Sequence, residues 1–399
     1  MKTSDFLIFG AGIIGLSIAR EIKNKYPKSS ITVIEKEPEI AMHSTGRNSG
    51  VLHAGFYYSA DSLKAKLCRD GNKALKEYCR ERKLKINPSG KVVVTKSESE
   101  LKSLFELESR GKKNGVEVAI IDEKQLFEIE PNAKTFQYAL YSPTTATVDP
   151  IEICTTIKNE LTQKGVLFIF NEGYQKKLKN NVIRTTKAQT FQAGKTINTA
   201  GLYADKIAME YGYSNKYVII PFKGIYLKYT LPEIPIRTNI YPVPNLKNPF
   251  LGVHYTITVE GTIKIGPTSI PAFWRENYKG FSQLKLNELF SILGWESMLF
   301  LKNAFGFRDL AFEEIKKYNK QYFISQATSL VKEINKKGFT EWTRPGIRAQ
   351  LLHKETLELL DDFVIEGDTN SVHILNAVSP AFTCGFTFAE LVFKKYIDI

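Results

Sequence analysis

The chain has 399 residues, 43% apolar and 24% charged, which suits a globular protein of two ordinary domains and not one compact core. Its 55 basic and 42 acidic residues give a net charge of +13. The basic residues are scattered and form no nucleic-acid motif, which leaves an anionic substrate, an anionic membrane surface or solvated lysine to account for the charge. Four cysteines, Cys68, Cys79, Cys154 and Cys384, show neither C-x-x-C spacing nor a Cys/His cluster. That argues against a metal site and a disulfide framework, and for reduced thiols in a cytoplasmic protein.

Residues 5–9, Asp-Phe-Leu-Ile-Phe, read as a short buried strand. Gly10-Ala11-Gly12-Ile13-Ile14-Gly15 follows with G-x-G-x-x-G spacing, and Ile14, Ile18 and Ile22 open a helix inside it. Residues 31–35 form a second strand that ends at Glu35, 20 residues beyond Gly15. Gly10 permits the tight turn, Gly12 the approach of backbone to a pyrophosphate, and Gly15 close packing of helix on strand. The helix start offers N–H groups and a positive dipole end to phosphates, and Glu35 accepts hydrogen bonds from a ribose. The spacing alone does not separate FAD from NAD. Residues 6–15 follow an acidic residue and lack a cleavage site, so they do not read as a signal peptide. No window holds the roughly 18 uninterrupted apolar residues of a membrane span.

Residues 44–55, Ser44-Thr-Gly-Arg-Asn-Ser-Gly-Val-Leu-His-Ala-Gly55, are small and hydroxyl-rich and can thread beneath a large planar ligand. Here the chain resembles the D-amino-acid-oxidase-like FAD oxidoreductases, and within them the L-2-hydroxyglutarate dehydrogenase/oxidase family. The resemblance rests on Thr45–Gly55 with Tyr57-Tyr58; Ser62-Leu-Lys-Ala-Lys-Leu-Cys68; Tyr241-Pro-Val-Pro244; Phe250-Leu-Gly-Val-His254; Gly266-Pro267; Pro345-Gly-Ile-Arg-Ala-Gln350; and Leu375-Asn-Ala-Val-Ser-Pro380. It implies an α/β fold with an α+β second domain: a Rossmann-type FAD-binding domain, discontinuous in sequence, with a mixed-sheet substrate domain. The expected spans are 1–81, 147–215 and 341–399 for FAD binding, and 82–146 and 216–340 for substrate. It further implies that FAD is held by Gly10, Gly12, Gly15, Glu35, Lys36, Ser44, Thr45, Asn48, Ser49, Gly50, Ala200, Gly201 and Thr383.

Further along, Asp149-Pro150-Ile-Glu152 is a helix start, with Ile153, Ile157 and Leu161 on one face and Lys164-Gly165 at the end. Strands are expected at 91–95, 166–170, 195–198, 217–229 and 256–266. Asn198-Thr-Ala-Gly201 is a strand-to-helix turn near the pyrophosphate, or a plain helix cap. Residues 281–340 are helical in pattern: a helix pair packed on its own domain, with peripheral contact to the inner face of a membrane as the alternative. A last helix, about 384–396, follows a strand at 372–376; Gly385 suits a close backbone approach there or an ordinary loop.

The implied reaction is oxidation of L-2-hydroxyglutarate to 2-oxoglutarate, with hydride passing to flavin N5 and electrons onward to oxygen or a quinone. Something must accept the hydroxyl proton. Of the five histidines, His43, His53, His254, His353 and His373, His53 is the first choice as base and His254 the second. His53 is alternatively a site of covalent flavin attachment. Arg348 is expected to clamp a carboxylate with its guanidinium fork. Pro221-Phe-Lys-Gly-Ile-Tyr226 departs from a family pattern that carries Arg and Glu where this chain has Lys223 and Ile225. Another 2-hydroxy acid, or an amine or amino acid that needs no dedicated base, therefore stays open as donor, as does a non-catalytic FAD module.

Overall fold

The computed structural model describes residues 1–233, 235–244 and 251–398; Phe250, in one of the matching stretches, lies outside them. The chain divides into two compact units, the first made of residues 1–47, 150–221 and 348–399, the second of 48–149 and 222–347.

The first unit is built on a parallel sheet. Strand β1 (Lys2–Phe9) runs into helix α1 (Ile13–Lys25), and β2 (Ile31–Ile34) returns beside β1. The parallel order is Leu167–Ile169, β2, β1, Thr190–Asn198, Ser371–Asn376. An antiparallel hairpin, Tyr174–Lys177 with Val182–Thr185, joins the early half of Thr190–Asn198, and Val364–Gly367 pairs with Ser371–Asn376. β2 is buried along its whole length, as expected of a strand covered on both faces. The helix expected after Asp149 runs Pro150–Gln163, with Ile153, Ile157 and Leu161 buried. The last helix falls where expected, as an α-helix Gly385–Val392 continued by a wider π-type helical turn over Phe393–Ile397. A Cβ on Gly385 would stand 2.9 Å from Ile13 Cγ1 and 3.0 Å from Ser17 Oγ, so its close approach is to α1.

The second unit carries a mixed sheet with helices. Helix α2 (Leu63–Glu81) is capped by Ser62, whose side chain accepts from Ala65 N. Strands β3 (Lys91–Val94), β4 (Asn239–Pro242) and β5 (His254–Ile257) lie in an eight-stranded sheet, where β3 and β4 pair in parallel and β4 and β5 antiparallel. Residues 48–81, expected with the FAD-binding part, belong to this unit. The cause is pairing with a distant segment: Val51-Leu52 pairs with Ala146–Val148, and Asn72 of α2 donates to Leu52 O, His53 O and Thr144 O. Residues 256–266 are not one strand. β5 and Ile263–Gly266 form a hairpin, closed by Thr258 N to Thr262 O and Gly261 N to Thr258 O. The expected strand 217–229 is likewise two, Tyr217–Gly224 and Leu227–Tyr229.

Residues 281–340 contain α3 (Leu286–Lys302), α4 (Phe307–Lys316) and a helix Lys320–Thr328 before the strand Phe339–Trp342. α3 buries Ile292, Glu296 and Leu299. Its opposite face, with Leu286, Phe290 and Leu301, is exposed. Among the described residues no helix is long and apolar enough to cross a membrane.

Candidate active site

In the first unit the glycine turn is locked by its neighbours. Gly10 has φ +106°, a region open to glycine, and a Cβ there would meet Thr199 O at 2.5 Å. A Cβ on Gly15 would fall 2.0 Å from Gly10 O, and one on Gly12 2.9 Å from Thr45 Oγ1. Thr199 Oγ1 donates to Phe9 O (2.8 Å) and Gly10 O (3.1 Å), which ties the 198–201 turn to the motif. Sequence reasoning had Ala200 and Gly201 in that turn and missed the Thr199 lock. Ala200 N bonds Asn198 Oδ1, and Gly201 has φ +54°.

Gly12 itself offers α1 no side-chain cap and the first turn holds no acid, so beyond the N–H of Ile13 the positive helix end is open to an anion. Glu35 is 9% exposed and accepts from Ala11 N at 2.7 Å and Glu37 N at 3.0 Å. A carboxylate has about four acceptor positions, so capacity remains for ribose hydroxyls. Lys36 is partly exposed and paired with Glu37. Thr45 Oγ1 accepts from Ile13 N at 3.2 Å, and Ser44 shares its 3-10 turn, Ser44–Arg47. Thr383 is fully buried just ahead of the last helix. This unit thus has the shape and donor set for a dinucleotide: a helix start with no acid in its first turn, glycines that a Cβ would fill, and a buried acid.

In the second unit, Asn48, Ser49 and Gly50 form a tight turn, with Gly50 N on Asn48 Oδ1 (2.7 Å) and Val51 N on Ser49 Oγ (3.3 Å). His53 follows and is 8% exposed. Its carbonyl accepts from Asn72 Nδ2 (3.1 Å) and the Cys68 thiol (3.3 Å), so α2 sets its backbone. Burial holds the His53 imidazole well below its usual pKa, and the charges of Lys91, His254 and Lys64 push the same way. The structure therefore brings the two candidate bases into one cluster. His254 is 3% exposed and opposite Tyr241 across β4 and β5, and the two rings stack at 3.6 Å. His254 Nδ1 lies 2.8 Å from Gly252 O. A carbonyl only accepts, so Nδ1 carries the proton and Nε2 is left as the basic nitrogen.

The other histidines have different settings. His373 is buried against Asn198 and Ser371, with burial pushing it down to about 4. Nδ1 of His353 accepts from Thr356 N, and His43 pairs with Glu37. Arg348 is half-buried in the strand Gly346–His353 and belongs to the first unit. Lys223 belongs to the second unit and donates to Asn277 Oδ1 at 3.2 Å. Lys91, Tyr241 and Lys264 were missed from the sequence. Burial lowers Lys91 to about 7 and Lys264 to about 8. The only sequence signal for Lys91 is a lysine on the same side of a strand as a core valine, Val93. All four cysteines are buried and no disulfide joins them.

Residues 5–394 match the family described as FAD dependent oxidoreductase. The L-2-hydroxyglutarate dehydrogenase of Indibacter alkaliphilus is 35% identical over 405 residues, covering 98% of this chain and 99% of the relative. The mitochondrial L-2-hydroxyglutarate dehydrogenase of Nematostella vectensis is 33% identical over 419 residues, covering 98% and 90%. Among solved structures, the L-alpha-glycerophosphate oxidase of Mycoplasma pneumoniae with FAD bound aligns at a TM-score of 0.76 and 21% identity, over 98% of this chain and 94% of that one, a likeness of fold. With the glycine turn, the acid after β2 and a match along nearly its whole length, the chain belongs to the FAD-dependent oxidoreductases, in the company of the L-2-hydroxyglutarate dehydrogenases.

Proposed function

We propose that the protein oxidises L-2-hydroxyglutarate to 2-oxoglutarate. The observation that carries this is the length of the likeness: relatives of that activity match at 33–35% identity from end to end. Bound FAD supplies the two-electron acceptor, with N5 as the position that takes hydride from the hydroxyl-bearing carbon. The chain's own residues do the rest. The Gly10–Gly15 turn, Glu35 and Lys36 hold the adenosine diphosphate half, while Ser44, Thr45, Asn48, Ser49, Gly50, Ala200, Gly201 and Thr383 line the cofactor. His53 takes the hydroxyl proton, because it is held neutral and a neutral imidazole accepts. His254 supports it with Nε2. Arg348 clamps a carboxylate in two parallel hydrogen bonds, and Lys223 adds a point charge.

The decisive experiment is anaerobic. The FAD-loaded protein is mixed with L-2-hydroxyglutarate, with the D-enantiomer as control, and the visible flavin absorbance is followed. Bleaching by the L-form alone is the expected result. No bleaching discards this donor and points to other 2-hydroxy acids or to amino acids, beginning from the changes at Lys223 and Ile225.

A second proposal concerns the electron acceptor and place of work. Phe281, Leu286, Phe290, Leu301, Phe312 and Ile315 are more than half exposed within one stretch. Exposed Lys279, Lys285, Lys302, Lys316 and Lys320 lie among them. An apolar face among cations fits the surface of an anionic bilayer. This favours a membrane quinone over oxygen as acceptor, at the inner face of the membrane.

A further inference from the structure

Lys91 opens β3 and is completely buried, and its Nζ has no hydrogen-bond partner. An ammonium stripped of water and given no acceptor is costly. What surrounds it are ring faces. Nζ lies 4.0 Å from the ring centroid of Tyr241, 5.1 Å from that of Tyr57 and 5.7 Å from that of Phe56, within reach of cation–π attraction. Register builds the cage. Lys91 pairs with Asn239 and Val93 with Tyr241, so Lys91 and Tyr241 project from the same face of the sheet. Phe56 and Tyr57 come from the segment directly after His53, and both share a core with Val93 and Tyr241. Tyr241 in turn stacks on His254. The cage therefore touches His254 through Tyr241 and follows His53 along the chain through Phe56 and Tyr57. Packing alone does not require the charge, since a methionine has similar length and no hydration to lose.

We propose that Lys91 is a positioning residue for the reaction, an aromatic-caged cation whose field adds to burial in disfavouring a proton on His53. The consequence for turnover rests on His53 as the base; the coupling between the two side chains does not. The charged groups that act on His53 are Lys91, His254 and Lys64. Those around Lys91 are Tyr57 and Tyr241 in its cage, Cys68 and His53. Lys91 titrates at about 7 and His53 well below 6.5, so the first proton to enter the pair goes to Lys91 and opposes the second. The cation is thus present throughout the acidic range in which His53 would otherwise protonate, and it fades only above neutrality.

With five histidines, the test is within reach of nuclear magnetic resonance. The FAD-loaded protein is labelled with carbon-13 at histidine Cε1, the resonances are assigned by single substitutions, and each is titrated. In K91M the His53 midpoint is expected to rise by about one pH unit, the size of a like-charge effect at close range, while that of His43 stays put. K91R, which keeps a cation, is expected to hold the His53 midpoint at its wild-type value. An unmoved His53 midpoint in K91M overturns the proposal, as does the same rise in K91R. K91Q serves in place of K91M if the latter does not fold. The acid limb of kcat/KM in K91M separates the two claims. A limb that rises with the midpoint supports both, whereas a moved midpoint with an unmoved limb upholds the coupling and removes His53 as the base.

Discussion

Two histidines of five, His53 and His254, are buried in the second unit in different settings. His254 has its Nδ1 proton spoken for by Gly252 O. His53 has its backbone pinned by α2 and its imidazole held neutral by burial. Removing His53 as H53A is expected to keep FAD bound and to lower kcat on the order of 10²-fold or more, the usual contribution of a general base. An amine donor, deprotonated in advance, would leave H53A nearly unharmed, and loss of the flavin would point to a covalent or structural role. The pH profile has a definite sign. A base whose pKa lies below 6.5 stays unprotonated as the pH falls through that value, so activity persists there and is lost only at lower pH. For Arg348, R348K keeps the charge and loses the fork; KM for the diacid is expected to rise about 10-fold. An unchanged KM would remove Arg348 from substrate binding.

The β1–α1–β2 element shows how a short motif becomes a site. Gly15 is required because its Cβ would collide with Gly10 O at 2.0 Å, and α1 then cannot close on the turn. G15A is expected to weaken FAD binding on the order of 10²-fold, since overpacking at such a contact costs about 3 kcal/mol. Flavin content after gel filtration measures it. Gly165 provides the control. It has φ +80° with nothing near its missing Cβ, so G165A costs only about 1 kcal/mol of backbone strain and retains FAD. The β-strands of the second unit were harder to read. The 256–266 segment alternates well enough to pass for one strand, and only its pairing, Thr256 with Lys264 and Ile257 with Ile263, reveals the hairpin. Thr258 and Gly261 hold the turn, but a threonine is as much at home in a strand as at its end.

For the molecule as a whole, the net charge of +13 and the exposed apolar stretch around α3 bear on where it works. The wild-type protein is expected to sediment with anionic vesicles and to be released by salt. A triple variant, F281S with F290S and L301S, is expected to bind on the order of 10²-fold more weakly, each side chain adding up to about 1.5–3 kcal/mol when fully buried. Equal sedimentation of the variant would sink the membrane assignment. Residues 281–340 carry helix periodicity that is plain in the sequence, yet which face is covered depends on how α3 packs against its neighbours such as α4, so exposure of Leu286 and Phe290 was not legible there. The same division holds for the rest. By itself the sequence determined the glycine turn and the acid at Glu35, because each rests on spacing within a few tens of residues, and the kinship, because its short matching stretches keep their order along nearly the whole chain. Only the tertiary structure decided that residues 48–81 fold with the second unit, that Thr199 locks Gly10, and that Lys91 sits caged between Tyr241 and Tyr57. Asn72 and Thr144 are 72 positions apart, Thr199 and Gly10 189, and Lys91 and Tyr241 lie on strands from different chain segments of the unit, and no local pattern records which strand a lysine will face once the sheet has closed.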